Sequence, residues 1–285
     1  DRDRIDQIMQ TVSPDLVFHA AALKHVPLVE ANVCEGLATN VIGTRNVADA
    51  CVTANVSAMV VVSTDKAINP TNIMGASKRL AEIYCQALDL DSTSAPNTRF
   101  VTVRFGNVLG STGSVVPLFQ KQLAAGGPLT VTHPDMTRYF MTIREAVELI
   151  LQSSTLGVQN QSANHQGKIF VLDMGEPIKI LDLAKQMIRL AGMQPDKDID
   201  IKITGIRPGE KLFEEILHDD ESLVQTNTQG IFLAAPRAAE LTEISTAIDG
   251  LVDICRQSDN PAALEIIKTF VPEYQPTDKP ESQTS

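Results

Sequence analysis

Residues 61–79 read VVSTDKAINPTNIMGASKR. An apolar run ends in Ser63, Thr64, Asp65 and Lys66, which puts a hydroxyl, a carboxyl and an amine on consecutive positions. Such a set can address neighbouring atoms of one bound molecule as hydrogen-bond donor, general acid and general base. The plainer reading is a Ser/Thr or Asx turn that closes a strand and leaves Lys66 in solvent. A helix follows, capped by Thr71 or Asn72, and it carries Lys78. Met74 stands one helical turn before Lys78 on the same face. Its thioether has no proton to give or take, so proton chemistry at this corner falls to the residues around Lys66.

Those residues need a rigid frame, and the pattern supplies one. Residues 14–22 (PDLVFHAAA) form a short β-run, 31–54 a long helix, and 56–64 a strand apolar on both faces, as inside a parallel sheet. A helix over 73–90, a strand over 99–107 and helices over 114–125 and 143–154 follow. This order implies an α/β fold, a Rossmann-like doubly wound parallel sheet with right-handed crossovers. Ligands in such sheets sit outside the carboxyl ends of the strands, where the sharp loops after His19, Ser63 and Phe105 lie. Past residue 155 come a strand and turn (IFVLDMGEP), an amphipathic helix over 179–191, and a strand, turn and short helix within 198–217. These read as a smaller C-terminal substrate-binding lobe. The boundaries expected are 1–155 for the sheet domain, 156–270 for the lobe with elements returning to the sheet, and 271–285 for a polar, proline-rich, disordered tail. No GxGxxG turn opens the chain. The first strands of such a sheet are therefore expected to be missing, and the chain reads as a piece of something longer that exposes a sheet edge.

A net charge of -11 excludes a basic nucleic-acid-binding face, although helix N-termini and a few placed cations can still hold a phosphate. Cys34, Cys51, Cys85 and Cys255 are scattered, with no histidine at ligand spacing. They suit buried thiols in a reducing compartment, and no metal site is expected. No apolar run approaches the ~18 residues that span a bilayer, and no signal peptide is visible.

Five stretches, HAAALKHVPLVE (19–30), STDKAINPTNIMGASKR (63–79), RFGNVLGSTGSVVPLF (104–119), TRYFMTIREAVELI (137–150) and TGIRPGEKLFEEIL (204–217), resemble the CapD-like polysaccharide biosynthesis proteins. These are extended short-chain dehydrogenases/reductases that act as UDP-N-acetylglucosamine 4,6-dehydratases. The resemblance covers roughly residues 1–240. It implies that 1–155 is a partial NAD-binding domain and that NAD is the cofactor. Methionine at position 74, where relatives place the tyrosine of a Tyr-x-x-x-Lys pair, resembles the large branch of the family. There the catalytic domain is cytoplasmic and follows helices in the bacterial inner membrane. The implied reaction is oxidation at C4, loss of water across C5 and C6, and hydride return to C6. The implied partners are a UDP-N-acetylhexosamine and further copies of the chain.

By resemblance Asp65 is the acid for the C6 hydroxyl, Lys66 the base at C5, Thr64 a hydrogen-bond partner of O4, Met74 an apolar wall, and Lys78 a ligand of the nicotinamide ribose. The O4 proton goes to Thr64, a water or Asp65. Lys66 must be neutral to act, which proximity to Lys78 and oxidised nicotinamide would favour, and Asp65 must be protonated, which needs burial or a carboxylate-poor setting. Cofactor contacts are expected at His19, Ala20, Ala21, Ala22, Asn40, Ser63, Lys78, Arg104, Phe105 and Asn107. Ala20–Ala22 permit close backbone approach. Substrate contacts are expected at Lys24, His25, Asn107, Ser114, Val115, Arg138, Arg207, Glu210 and Lys211. The rival readings are a nucleotide-sugar 4-epimerase, which needs an acid/base at O4 and no base at C5, and a non-catalytic NAD-binding regulator.

Overall fold

The strand Ala58–Val62 is apolar throughout because both of its faces are covered. Residues 58–61 are fully buried in the computed structural model, which describes residues 1–91, 93–95, 97–159, 165–216 and 223–276. In chain order the first elements are α1 (Arg2–Val12), β1 (Leu16–His19), α2 (Val26–Ala31), α3 (Val33–Leu37), a π-turn (Ala38–Ile42), α4 (Gly43–Thr53) and β2 (Ala58–Val62). A single 3-10 turn, Asp65–Ala67, then leads to α5 (Ile73–Leu90), β3 (Arg99–Arg104), β4 (Asn107–Val108) and α6 (Val115–Ala124). Next are β5 (Leu129–Val131), β6 (Thr137–Arg138), β7 (Phe140–Met141), α7 (Ile143–Gln159), β8 (Ile169–Leu172) and β9 (Ile178–Lys179). The last are α8 (Ile180–Leu190), β10 (Ile201–Ile203), β11 (Val224–Gln225), β12 (Ile231–Ala234), α9 (Leu241–Arg256) and α10 (Asn260–Phe270).

The main sheet runs β1-β2-β3-β8-β12-β11, with the first four strands parallel and the last two antiparallel. Successive side chains of a strand face opposite layers. Met59, Val61 and Phe100 join α5, α9 and α10 in one core, whereas Val60, Val101 and Val103 meet Phe170 and Leu172 in the other, under α7. As an edge strand, β1 leaves Leu16 and Phe18 exposed. A smaller body is built from β5 paired with β10, and from α6 and α8, around Phe119, Leu129, Ala184, Ile188 and Ile199. Its first pieces, α6 and β5, lie before residue 155, while β8, β12, α9 and α10 return to the main sheet and its helices.

Three expectations are corrected. The long helix over 31–54 is interrupted: Asn32 separates α2 from α3, and a π-turn joins α3 to α4. No helix occurs over 204–216; these residues form an irregular strap, and Leu217 lies outside the described residues. The disordered tail expected from 271 does not begin there: Val271 and Tyr274 are buried in the core, Glu273 pairs with Arg79, and the Gln275 N–H donates to the Pro70 carbonyl at 3.0 Å. Residues 277–285 of that tail lie outside the described residues. Among the described residues no helix is long and apolar enough to cross a membrane.

Candidate active site

Backbone geometry fixes the turn that carries Thr64, Asp65 and Lys66. As β2 ends, the Ser63 N–H donates to the Val103 carbonyl at 2.8 Å and the Asp65 N–H to the Phe105 carbonyl at 3.1 Å, so the turn stays fastened to the continuation of β3. Thr64 Oγ1 accepts from the Lys66 N–H at 3.4 Å and donates to Asp65 Oδ1 at 2.9 Å. The Ser/Thr turn of the plainer reading is thus present, and it aims the functional groups rather than replacing them. Asn72 caps α5, its Oδ1 accepting from the Gly75 N–H at 2.8 Å.

Lys66 is not left in bulk solvent: its side chain is 19 % exposed, at the edge of a cavity. Its Nζ lies 2.9 Å from Asp65 Oδ1, 3.3 Å from Glu214 Oε1 and 3.3 Å from Asn107 Oδ1. Glu214 also meets Arg138 Nε at 3.5 Å, and a second oxygen on each of Asp65 and Glu214 is buried without a partner among the described residues. Burial by itself pulls the Lys66 proton affinity down, but Asp65 and then Glu214 outweigh it, and the net shift is upward. This corrects the expectation of a Lys66 pKa lowered by neighbouring positive charge: the nearest charges are two carboxylates, and Arg138 is the weakest influence on it. The sequence does not single out Glu214; in the run KLFEEIL it reads as one acid of a solvated helix face.

A cavity of about 450 Å³ opens at the carboxyl ends of β1, β2 and β3. Ala20, Ala22, Ser63, Thr64, Lys66, Met74, Lys78, Phe105 and Asn107 line one part of it, and Lys24, His25, Ser114, Val115, Arg138, Arg207 and Glu210 another. Met74 is 4 % exposed and presents sulfur and carbon, without a titratable group. Lys78 is 5 % exposed, and among the described residues its amine has no hydrogen-bond or ion-pair partner; burial lowers its pKa, with Glu82 pulling the other way. At the start of α6, the Ser114 hydroxyl is likewise buried and unpartnered among the described residues.

Other expected contacts are turned elsewhere. Arg104 is fully buried against Glu82, at 2.7 and 2.8 Å, and so presents no charge to the cavity. Asn40, in the π-turn, accepts from the Leu23 N–H at 2.7 Å and donates to the Leu23 carbonyl at 3.0 Å, so it braces the loop after β1. His19 faces inward to Thr44 at 2.9 Å, and burial, with the Lys78 charge, lowers its pKa to about 4. Neither His19 nor Ala21 borders the cavity. Ser63 borders it while donating its hydroxyl to Glu82 at 2.6 Å. Lys211 borders a second, smaller cavity of about 190 Å³ and donates to the Ile68 carbonyl at 3.0 Å. Arg138 holds the carbonyls of Thr137 at 2.7 Å and Lys211 at 2.8 Å. Among the described residues no cluster of three or more His, Cys, Asp or Glu could hold a metal ion.

A family model described as polysaccharide biosynthesis protein matches residues 1–236. The capsular polysaccharide biosynthesis protein CapD of Staphylococcus aureus is 49% identical over 252 residues, covering 88% of this chain and 40% of the relative. A UDP-N-acetylglucosamine 4,6-dehydratase (inverting) of Campylobacter jejuni is 36% identical over 238 residues, 83% of this chain and 65% of that protein. A UDP-glucose 4-epimerase of Rickettsia conorii is 40% identical over 218 residues, 76% and 59%. This chain thus spans less than half the length of CapD. Among solved structures, Pen from Bacillus thuringiensis superposes with a TM-score of 0.69 at 34% identity, covering 84% of this chain and 70% of that one.

Proposed function

The chain belongs to the polysaccharide biosynthesis protein family, and from that premise we propose that it carries the catalytic machinery of an NAD-dependent UDP-N-acetylglucosamine 4,6-dehydratase. One observation carries the reading: Lys66, which borders the cavity, holds its Nζ 2.9 Å from Oδ1 of the buried Asp65, and the same cavity is lined by a methionine where an epimerase would need its phenol. Elimination of water needs one group to take the C5 proton and another to protonate the departing C6 oxygen. Epimerisation needs neither, and Met74 cannot serve O4.

The residues present suit the nicotinamide end of NAD. Lys78 offers a buried ammonium that finds no protein acceptor among the described residues, and the Ala20–Ala22 loop leaves the backbone open to approach. Bound there, NAD would supply a reversible two-electron acceptor for the sugar's C4 carbinol. Everything else falls to this chain's own groups. Lys78 orients the ribose, and Met74 excludes water and packs against sugar or nicotinamide. Thr64 bonds the O4 region. The α6 N-terminus with Ser114 and Val115 favours a diphosphate, and Arg207, Arg138 and Glu210 close the far side.

The 2.9 Å contact reconciles the raised Lys66 pKa with a base role. A proton moving from Lys66 Nζ to Asp65 Oδ1 breaks one N–H bond and makes one O–H bond, giving the neutral amine and the protonated acid together. The amine then takes the C5 proton, acidified by a ketone at C4, while Asp65 protonates O6 and the C6–O6 bond breaks to release water. The pair ends as ammonium and carboxylate, which is where it began.

Incubation of the protein with NAD and UDP-N-acetylglucosamine, followed by mass spectrometry, tests this. The expected product has lost one water. An unchanged mass with inverted C4 would establish the epimerase instead, and unaltered substrate would favour the non-catalytic reading.

A further inference from the structure

Around Lys66 the carboxyl groups outnumber what the proposed elimination uses. Asp65 already supplies the acid, yet Glu214 brings a second carboxylate to 3.3 Å from the same amine, with its side chain only 3% exposed. It comes from the irregular strap of residues 204–216, which no sheet ladder holds in place. The strap is instead fastened to the turn after Lys66: Thr71 Oγ1 and Asn72 Nδ2 donate to the Gly209 carbonyl at 3.1 and 2.8 Å, and Lys211 Nζ donates to the Ile68 carbonyl. Glu214 Oε2 is buried without a partner among the described residues. A carboxylate that closely buried normally has both oxygens engaged, so its seat beside Lys66 is one the fold maintains at a cost.

We propose that Glu214 is a positioning residue for Lys66, holding the amine in line with Asp65 and setting how firmly it keeps its proton. The meaning of this for catalysis rests on the reading of Lys66 as the C5 base. Beside Asp65 from its own turn, the charged groups that share a cavity with Lys66 are Arg138 from β6, Lys24 and His25 from the loop after β1, Lys78 from α5, and Arg207, Glu210, Lys211 and Glu214 from the strap. Among these only Asp65 and Glu214 are carboxylates in direct contact with the amine. The proton shift to Asp65 neutralises one of them. Glu214 remains as the group that opposes loss of the proton, and it does so only while the strap is docked. Closure of the strap and basicity of Lys66 are therefore coupled through a single carboxylate.

Trace acetylation of the NAD-free protein across pH, with the labelling of each lysine read by mass spectrometry, gives the Lys66 titration midpoint without any need for turnover. In Glu214→Gln that midpoint should fall by about 1–3 units, the size expected for removing an opposite charge at such a distance, while the midpoint of exposed Lys268, on α10 and outside both cavities, stays. Where turnover is measurable, the alkaline limb of the pH–rate profile, at which the pair loses its one shared proton, should move down by a like amount. Glu214→Asp, with its carboxylate drawn back by one methylene, should lower the midpoint by less and serves if the Gln variant does not fold. A wild-type Lys66 midpoint in the variant that folds overturns the proposal. A lowered midpoint in a protein that dehydrates no UDP-sugar would leave the role of Glu214 standing and defeat the proposed function alone.

Discussion

Gly75, in the first turn of α5, lies against the Lys66 carbonyl so closely that a Cβ there would stand 2.1 Å from the oxygen and 3.2 Å from Pro70 Cβ. The helix that carries Met74 and Lys78 is thereby pressed onto the turn that carries Asp65 and Lys66. No side chain fits between backbone and backbone. Gly75→Ala must therefore push the two apart. Misplacement of a reacting group by about 1 Å costs on the order of 100-fold in rate, and turnover should fall by about that much, with a lower Tm. Full activity in a folded Gly75→Ala protein would show that the spacing of turn and helix is not what positions Lys66.

Lys66 and Met74 should separate cleanly in mutation. Lys66→Met removes the amine proposed to act at C5 and should abolish both water loss and exchange of the C5 hydrogen with deuterated solvent. Met74→Leu keeps an apolar wall and should leave turnover within about tenfold, since near-isosteric swaps usually cost under about 1.5 kcal/mol. Persistence of C5 exchange in Lys66→Met would remove that lysine from the mechanism.

How far the residues alone reveal this arrangement depends on the kind of interaction. The strands and α5 are legible because two-sided apolar runs and a capped helical period are local signals; Ile73–Leu90 and Ala58–Val62 fall where the pattern puts them. The break around Asn32 and the π-turn are not, because apolar spacing survives a π-turn almost unchanged. The helix expected within 204–217 fails for a different reason. Gly209 sits at φ 76, and the strap's polar groups are claimed by residues more than a hundred positions earlier, such as Asn72 and Ile68. Glu214 escapes a sequence reading on the same ground, since nothing in KLFEEIL says that one of two adjacent glutamates faces a lysine in a distant turn. The motif around Arg104 suggests a ligand contact, but its true partner, Glu82, lies on the next face of α5.

Glu82 is the anchor of that buried network, meeting Arg104, Arg79 at 3.3 Å and the Ser63 hydroxyl with no exposure of its own. Removing one partner of a buried pair strands the other charge, so Glu82→Ala should cost roughly 3–5 kcal/mol in urea unfolding. The pH dependence has a definite sign. Burial raises the Glu82 pKa, but Arg104 and Arg79 more than reverse this, and the folded value lies below the ordinary 4.5. The stabilisation is thus complete above pH 4.5 and lost as the pH falls below it. Wild type should lose stability over that acid range more steeply than Glu82→Gln.

His19 adds a second acid sensitivity at higher pH. Its pKa falls from 6.5 to about 4 in the folded chain through burial and the Lys78 charge. The unfolded chain therefore binds the extra proton first, and the contribution is whole above pH 6.5 and lost as the pH drops toward 4. The linkage amounts to roughly 3 kcal/mol at full extent, at about 1.36 kcal/mol per unit. His19→Gln keeps a polar partner for Thr44 and should flatten the stability profile between pH 4 and 6.5. A His19 ring that titrates near 6.5 by NMR would contradict the burial argument.

Asn72 joins two jobs that a single substitution can divide. Its Oδ1 caps α5 through the Gly75 N–H, and its Nδ2 donates to the Gly209 carbonyl on the strap. Asn72→Asp retains the capping oxygen and replaces the donor with an acceptor facing a carbonyl, so the helix should keep its cap while the strap loses one of its tethers. Asn72→Ala loses both, including about 1 kcal/mol of capping. Hydrogen exchange should accordingly quicken over 204–216 in both variants, and at the first turn of α5 only in the alanine variant. Because Glu214 rides on the strap, the alanine variant, which adds no charge to the small cavity that residues 66 and 72 share, should also lower the Lys66 titration midpoint. Unchanged exchange over 204–216 in Asn72→Asp would mean that the remaining tethers, from Asn69, Thr71, Arg138 and Lys211, hold the strap without it, and that the coupling from α5 to Lys66 does not run through this side chain.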